Sequence, residues 1–229
     1  MKHPYIRAMT LFPTLLFLVA AGPCSAQEAK TRWQERDEWQ NVPGIFQAMG
    51  VEKGSHVADL GAGKGYLTLR LAKAVGSKGR VYAVDIDEES LEDLRENVED
   101  ADLDNVSIVR GEVDDPRLAA SSLDAIVIVN AYHEMDEYSA VLAHLRRALR
   151  PQGRLVLVDS IHSSHRESSR EIQTASHELG LEFARQDLEE AGFEVQHAKD
   201  PFVSEPWGDD QWLLVAVPAR PYEPRSAPR

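Results

Sequence analysis

The feature that most constrains the fold is the alternation of short apolar runs with amphipathic segments between residues 54 and 217. The apolar runs are "HVADL", "RVYAVDID", "VSIV", "DAIVIVN", "RLVLVD", "FEVQ" and "QWLLVAV". Runs this rich in valine, isoleucine and leucine predict strands buried on both faces, and the segments between them predict covering helices. The last two runs have no helical pattern between them, which indicates an antiparallel pair at one edge. We therefore predict an α/β fold with a doubly wound, mostly parallel sheet and helices on both faces.

The N-terminus, residues 1–26, has the pattern of a secretory signal peptide. Lys2 and Arg7 give a positive start, the uncharged run "AMTLFPTLLFLVAAG" follows, and small residues lead up to Ala26. The run is shorter than the roughly 20 apolar residues that a membrane-spanning helix needs. We expect cleavage after Ala26, an exported (periplasmic or secreted) protein and no stable membrane insertion after cleavage. An uncleaved N-terminal anchor is the alternative.

Charge and cysteine content exclude several classes of function. The formal net charge is −13 over 229 residues, which disfavours binding to nucleic acid and to anionic membrane surfaces. The only cysteine, Cys24, lies within the predicted signal peptide. The mature chain would therefore have no disulfide, no cysteine metal site and no thiol nucleophile. Nothing in the sequence indicates an oligomeric state.

The rest of the chain divides into three parts by composition. Residues 27–42 are polar with two tryptophans and predict a lead-in helix or flap. Residues 43–217 contain every strand pattern and predict a single domain. Residues 218–229 are rich in proline and arginine and predict a disordered tail.

The stretch "ADLGAGKGYLT" places Gly61, Gly63 and Gly65 two residues apart at the end of the first predicted strand. Glycines there permit a tight turn and a close approach of a ligand to the backbone. A triphosphate-binding loop needs Lys followed by Ser or Thr after its last glycine, whereas Lys64 precedes Gly65. The dinucleotide spacing G-x-G-x-x-G is also absent. The carboxylate of Asp59 would repel a pyrophosphate but attract a ligand with an ammonium group.

The stretch "VADLGAGKG" resembles the first motif of class I S-adenosylmethionine-dependent methyltransferases, whose fold is Rossmann-like. Acids at the end of the second strand and after the third strand complete the set of motifs. The resemblance covers about residues 43–217 and implies S-adenosylmethionine as the cofactor. It assigns cofactor binding to Asp59, Gly61, Ala62, Gly63, Tyr66, Asp85, Ile86, Glu112, Val113 and Asn130.

The two downstream acids have separate roles in this resemblance. Asp85 ends "VYAVDID", where a carboxylate accepts hydrogen bonds from both ribose hydroxyls. Dinucleotide enzymes use an acid in the same way, so Asp85 alone does not discriminate between the ligands. Asp87 is better placed to cap the following helix. Glu112 matches the position that meets the adenine amino group, with Val113 packing on the ring.

In the same family, the segment after the fourth strand faces the methyl group and the acceptor. Here it reads "NAYHEMDE", without the Asn/Asp-Pro-Pro pattern of many nucleic-acid and protein amine methyltransferases. It is more similar to the small-molecule branch, where a histidine often stands at this place. We predict that Tyr132 and His133 enter the mouth of the cleft as catalytic residues. His133 either takes a proton from the acceptor or packs against the methionine end of the cofactor.

A metal site is the alternative use of the histidines after the fifth strand. Asp159, His162, His165 and His177 lie there, and metal-dependent O-methyltransferases place acids after strands four and five. Asn130 stands where one of those acids would be, and two histidines three apart in a loop are not a demanding coincidence. We therefore assign no metal ligand and interpret the loop as a solvated lid.

Two functions remain open from the sequence. The first is a methyltransferase that transfers the methyl group of S-adenosylmethionine to a small-molecule acceptor by in-line displacement. The second is an exported, non-catalytic cofactor- or ligand-binding protein on the same fold. The signal peptide motivates the second, because S-adenosylmethionine is made in the cytosol.

Overall fold

The computed structural model describes residues 26–219, with side chains from residue 32 onward. The predicted signal peptide, apart from Ala26, and most of the predicted tail lie outside these residues. The strands are β1 (His56–Leu60), β2 (Arg80–Asp85), β3 (Val106–Arg110), β4 (Leu123–Val129), β5 (Leu149–Ile161), β6 (Phe193–Ser204) and β7 (Asp210–Pro218). The α-helices are α1 (Ala26–Trp39), α2 (Val42–Met49), α3 (Tyr66–Val75), α4 (Glu88–Asp100), α5 (Tyr138–Ala148), α6 (Arg170–Ala175) and α7 (Leu181–Glu190).

The seven strands form one sheet in the order β3-β2-β1-β4-β5-β7-β6. The first five run parallel, while β7 pairs antiparallel with both β5 and β6. This is a Rossmann-like sheet, so the predicted mostly parallel sheet with an antiparallel edge pair is confirmed. The run "AIVI" of β4 is buried on both faces because helices cover both sides of the sheet.

Two apolar layers hold the helices against the sheet. On one side, Leu142 of α5 and Leu188 of α7 pack with Ile126 of β4. On the other, Ile45 of α2 and Leu71 of α3 pack in the layer that includes Val127 of β4. Because alternate side chains of a strand point to opposite faces, a single apolar run supplies both layers.

Three boundaries differ from the predicted ones. The pattern "SAVLAHLRRALR" predicts a helix ended by Pro151 and Gly153, but α5 ends at Ala148 and both residues lie within β5. The β4–β5 pairing is irregular there, and a proline is tolerated in a strand at such a position. The β6 strand continues to Ser204, well beyond "FEVQ", because β7 pairs with it along its length. No helix between residues 26 and 219 is long and apolar enough to cross a membrane.

The strand order also fixes where a ligand can bind. The chain moves outward from β1 to β2 and β3, then returns to β4 on the other side of β1. The crossover helices on either side therefore diverge beyond the carboxyl ends of β1 and β4 and leave a crevice. The glycine-rich loop and the segment beginning at Asn130 both start at this edge.

Candidate cofactor and acceptor site

A cleft of about 370 Å³ opens at the carboxyl ends of β1, β2 and β4. Six of the ten predicted cofactor residues line it: Gly61, Asp85, Ile86, Glu112, Val113 and Asn130. A larger groove of about 1070 Å³ lies between α2 and the β5–β7–β6 end of the sheet, but no predicted site residue lines it. The cleft is therefore the candidate functional site, and the groove is not.

The glycine-rich loop needs glycine for two different reasons. Gly61 has a φ of 75°, and a Cβ there would lie 2.5 Å from the Cβ of Ala131, so the loop touches the end of β4. Gly63 has a φ of 50°, but a Cβ there would meet nothing within 4 Å. Left-handed backbone favours glycine at both positions. Of these two glycines, only Gly61 would bring a Cβ against another part of the protein, so the space above Gly63 is available to a ligand.

Asp85 is fixed at the floor of the cleft by backbone amides. Its Oδ2 accepts a hydrogen bond from the amide of Gly63 at 2.7 Å. Its Oδ1 accepts from the amides of Ile86 at 2.8 Å and Asp87 at 3.0 Å. Asp87 in turn caps α4 through the amide of Ser90, the role expected for it. Asp85 is thus free of the capping role and joins the glycine loop to the end of β2.

Two exposed apolar side chains flank the same end of the cleft. Ile86 is 54% exposed and Val113 is 64% exposed, although both are branched aliphatic residues. Glu112, which also lines the cleft, pairs with Arg117 on the surface. An apolar gap with an acid at its rim is suited to a flat heterocycle that carries an amino group.

Asp59 lies beneath the glycine loop and does not line the cleft. Its side chain is buried, and its Oδ2 accepts a hydrogen bond from the Thr68 hydroxyl at 2.6 Å. Burial raises the pKa of Asp59 to about 6, and the Thr68 hydrogen bond and the nearby Arg36 charge oppose this rise only in part. A cationic ligand above the loop would favour the ionised form of this carboxyl.

Tyr66 faces helix α1 and not the cleft. Its hydroxyl donates to Asp37 Oδ1 at 2.9 Å, and its ring lies between the guanidinium groups of Arg36 and Arg70, 4.1 and 4.0 Å from their central carbons. Burial, and then the hydrogen bond to Asp37, raise the pKa of Tyr66 to about 12. Tyr66 therefore attaches the lead-in helix to the domain, and its predicted contact with the cofactor is absent from the lining. Ala62, buried against Leu91 and Leu94 of α4, does not line the cleft either.

Asn130 adopts a left-handed backbone, with a φ of 51°, at the end of β4. Its Oδ1 accepts hydrogen bonds from Gln211 at 3.1 Å and from Ser160 at 3.4 Å. Gln211 is fully buried and also donates to Glu205 at 2.6 Å, while Gln40 donates to Gln211 at 2.7 Å. This wall of the cleft is therefore held in place by side chains of β4, β5 and β7 and of the link between α1 and α2.

The expectation that Tyr132 enters the cleft is wrong. Tyr132 is 2% exposed and lies in the core, where its hydroxyl donates to Asp187 Oδ2 at 2.9 Å. Arg170 pairs with the same carboxylate. Burial and the Asp187 charge raise the pKa of Tyr132 far above its usual value. A hydroxyl held in this way anchors α7 and cannot act on a ligand in the cleft.

His133 is next to the cleft, but both of its ring nitrogens have partners. Its Nδ1 lies 2.8 Å from Oδ1 of the buried Asp159, and its Nε2 lies 3.2 Å from Oε1 of Glu134. Burial alone lowers the pKa of His133, but the hydrogen bond and charge of Asp159, assisted by Glu134, raise it above its usual value overall. Glu134 lines the cleft and also contacts His177.

The other two histidines of the presumed lid have local partners. His162 Nδ1 lies 2.7 Å from the Ser164 hydroxyl, and His165 Nδ1 lies 3.1 Å from Glu178 Oε2. Neither lines the cleft. They are turn residues of the segment between β5 and α6.

Sequence reasoning missed residues whose partners lie far along the chain. Glu134 was quoted only as part of the segment "NAYHEMDE" and was not assigned to the site, although it lines the cleft and contacts His177, 43 residues away. Asp37 was part of an unassigned helix, although it holds Tyr66 and Arg70. The only available signal for Thr68 was its position on the buried face of α3.

The sequence is similar to known proteins over the part of the chain that forms this site. The sequence profile of a family described as "Methyltransferase domain" matches residues 51–192, which is more than half of the chain. A demethylmenaquinone methyltransferase of Listeria welshimeri is 31% identical over 115 residues, or 50% of this chain and 49% of that protein. The chain thus spans about half the length of the curated relatives it matches.

Solved structures share the fold over a larger part of the chain. A SAM-dependent methyltransferase from Aquifex aeolicus superposes with a TM-score of 0.69 and 24% identity, covering 82% of this chain and 98% of that one. The cyclase SpnF superposes with a TM-score of 0.67 and 15% identity, covering 79% of this chain and 80% of that one. These likenesses concern the fold, and a fold shared with a cyclase leaves the reaction to be argued from the site.

Proposed function

Because the chain belongs to the methyltransferase domain family, we propose that it transfers a methyl group from S-adenosylmethionine to a small-molecule acceptor. S-adenosylmethionine occupies the cleft with its ribose at Asp85 and its adenine between Ile86 and Val113. The methionine end extends over Gly63 toward Asn130. The sulfonium is already an activated leaving group, so holding the donor and acceptor in line supplies much of the rate.

The observation that most directly supports this proposal is the fixed orientation of the Asp85 carboxylate. Three backbone amides orient its carboxylate at the floor of the cleft, and one of them belongs to the open loop residue Gly63. A carboxylate fixed in this way is prepared to accept hydrogen bonds from a diol. Anionic phosphates, by contrast, would meet Asp85, Glu112 and Glu134 in the lining, which disfavours nucleotides as the ligand.

The acceptor binds at the other end of the cleft, near His133 and Glu134. We propose a small molecule because the curated relatives include one named for a small quinone-type acceptor, and because the net charge of −13 disfavours nucleic acid. His133 is the proposed catalytic residue, since Asp159 fixes its ring at the rim of the cleft. Its replacement by alanine should lower turnover about 100-fold through lost positioning while sparing cofactor affinity.

The experiment that tests the function measures turnover directly. The purified chain is incubated with S-adenosylmethionine and pools of small-molecule acceptors, and S-adenosylhomocysteine is quantified. We expect acceptor-dependent product that falls strongly in Asp85→Ala and not in Glu89→Ala, which removes the same charge from the exposed first turn of α4. Cofactor binding without product in any pool would favour the non-catalytic binding protein.

We also propose that the protein is exported after cleavage behind Ala26. The positive start, apolar run and small residues of the N-terminus support this. Intact-mass measurement of the protein from its native host tests it, with a chain starting at Gln27 as the expected result. A full-length cytosolic chain would contradict export and remove the question of how S-adenosylmethionine reaches the enzyme.

A further inference from the structure

Three side chains from two separate segments converge at the rim of the cleft. His133 and Glu134 lie on the short 3-10 helix after β4, and His177 lies in the turn after α6. His177 Nδ1 lies 2.6 Å from Glu134 Oε1, and His133 Nε2 lies 3.2 Å from the same oxygen. The three ligand atoms all lie within 4.8 Å of one another. We call these residues the His–Glu–His cluster.

A buried carboxylate orients the first histidine of the cluster. Asp159 is fully buried, and its Oδ1 lies 2.8 Å from Nδ1 of the His133 ring. Its Oδ2 accepts a hydrogen bond from the His133 backbone amide at 3.1 Å. Because a carboxylate only accepts, Nδ1 donates its proton to Asp159, which leaves Nε2, facing Glu134, as the nitrogen that would bind a metal ion after losing its own proton. Histidines that bind metals commonly have this carboxylate–imidazole arrangement.

The second histidine is held in place although most of it is exposed. The His177 side chain is 75% exposed, yet its backbone has a φ of 57° and its ring meets the His133 ring edge-on with centroids 6.2 Å apart. Left-handed backbone at a residue other than glycine costs energy. An exposed pair between histidine and glutamate stabilises a fold by little. The left-handed backbone ends α6, because the amides of His177 and Glu178 donate to the carbonyls of Thr174 and Gln173 at 3.0 Å each, so the case for a ligand rests on the convergence of the three side chains.

The chemistry of the three side chains determines which kind of metal ion the cluster would bind. Two imidazoles and one carboxylate suit a borderline-soft divalent ion such as zinc, whereas magnesium and calcium prefer oxygen ligands throughout. Bonds of about 2.0 to 2.2 Å around a tetrahedral ion separate neighbouring ligand atoms by about 3.3 to 3.6 Å. The separations of 2.6 and 3.2 Å in the cluster are shorter than this, so the side chains would move apart by about 1 Å or less to admit an ion.

We propose that His133, Glu134 and His177 bind one divalent transition-metal ion, with zinc the best-matched, and leave at least one coordination position open. The sequence interpretation assigned no metal because Asn130 stands where an acid was expected and because the spacing of His162 and His165 was not demanding. The structure places those two histidines with other partners. Three protein ligands with an open position are typical of catalytic zinc sites and not of structural ones.

The position of the cluster suggests what the ion does, and this step rests on the proposed methyltransferase function. Glu134 belongs both to the cluster and to the lining of the cleft. An ion there would stand beside the acceptor end, where its open position takes an acceptor oxygen or sulfur and stabilises its deprotonated form. Acceptors with a hydroxyl or thiol group are therefore the class that this site favours.

The test measures metal binding without S-adenosylmethionine, so its outcome is separate from that of the proposed function. The full chain is stripped with a chelator, exchanged into chelator-free buffer and titrated with zinc chloride by calorimetry. His177→Asn is the test variant, because asparagine tolerates the left-handed backbone. His162→Asn is the matched control, since it removes a histidine of the same loop region outside the cluster.

We expect one zinc ion per wild-type chain and at least a 10-fold weaker affinity in His177→Asn, with no change in His162→Asn. Zinc should raise the melting temperature of the wild type and of His162→Asn but not of His177→Asn. Melting of all three proteins in the presence of chelator shows whether the variants are folded. The proposal is overturned if the wild type binds no zinc, or if the two variants bind it with equal affinity.

Discussion

At the scale of single residues, one buried carboxyl group beneath the candidate site lowers the stability of the folded protein when it ionises. Asp59 is buried beneath the glycine loop with Thr68 as its hydrogen-bond partner, and burial raises its pKa to about 6. A group with a raised pKa in the folded state binds its proton more tightly there than in the unfolded chain. Its ionisation therefore destabilises the protein as the pH rises from about 4 to about 6, and the loss stays constant at higher pH.

Asp59→Asn should remove this pH-dependent cost. The amide oxygen can still accept from Thr68, but position 59 no longer ionises. Two pKa units correspond to about 3 kcal/mol, so the variant should exceed the wild type in free energy of unfolding by up to that amount at pH 8. The advantage should vanish near pH 4, where both proteins are neutral at this position. Urea unfolding at the two pH values tests this, and an advantage that is the same at both would contradict the assignment.

Gly61 and Gly63 provide a second test at this scale, because they differ only in their neighbours. Gly61→Ala combines left-handed strain with a Cβ 2.5 Å from Ala131, so it should lower the free energy of unfolding by about 2–4 kcal/mol. Gly63→Ala has only the strain and should cost about 1 kcal/mol. Its Cβ would enter the space assigned to the cofactor, so it should weaken S-adenosylhomocysteine binding instead. Equal destabilisation in the two variants, or unchanged affinity in Gly63→Ala, would contradict this account of the loop.

At the scale of elements, helix α1 carries one acid that contacts two residues of α3. Asp37 accepts from the Tyr66 hydroxyl at 2.9 Å and pairs with Arg70 at 2.7 and 2.5 Å. Asp37 adds little to the free energy of unfolding of the whole protein, because exposed ion pairs are weak. Its effect is local: it keeps α1 against the first turn of α3, next to the glycine loop.

Asp37→Ala should therefore loosen α1 without unfolding the protein. We expect faster amide hydrogen exchange in residues 32–39, with exchange in the central strands unchanged. Glu38→Ala is the control, since it removes an equally exposed acid from the same helix. If both variants exchange alike in this segment, Asp37 does not hold the helix.

At the scale of the whole molecule, the sheet and the position of the cleft could be predicted from local pattern. Strands buried on both faces have a distinctive composition, and the chemistry of α/β sheets concentrates at the carboxyl ends of their strands. Asp85 and Gly61 were identifiable for this reason. Contacts between distant segments could not be predicted in the same way. His177 and Glu134 are 43 residues apart, and Tyr132 and Asp187 are 55 apart, so no periodicity indicates which side chains meet.

The central claim is that the cleft binds S-adenosylmethionine through Asp85. Calorimetric titration with S-adenosylhomocysteine tests it most directly, comparing the wild type with Asp85→Ala and with the charge-matched Glu89→Ala. We predict one site per chain in the wild type and in Glu89→Ala. Loss of the charged acceptor should weaken binding to Asp85→Ala by about 10- to 150-fold, equivalent to about 1.5–3 kcal/mol. A wild type that does not bind, or an Asp85→Ala variant that binds with unchanged affinity, would contradict the claim.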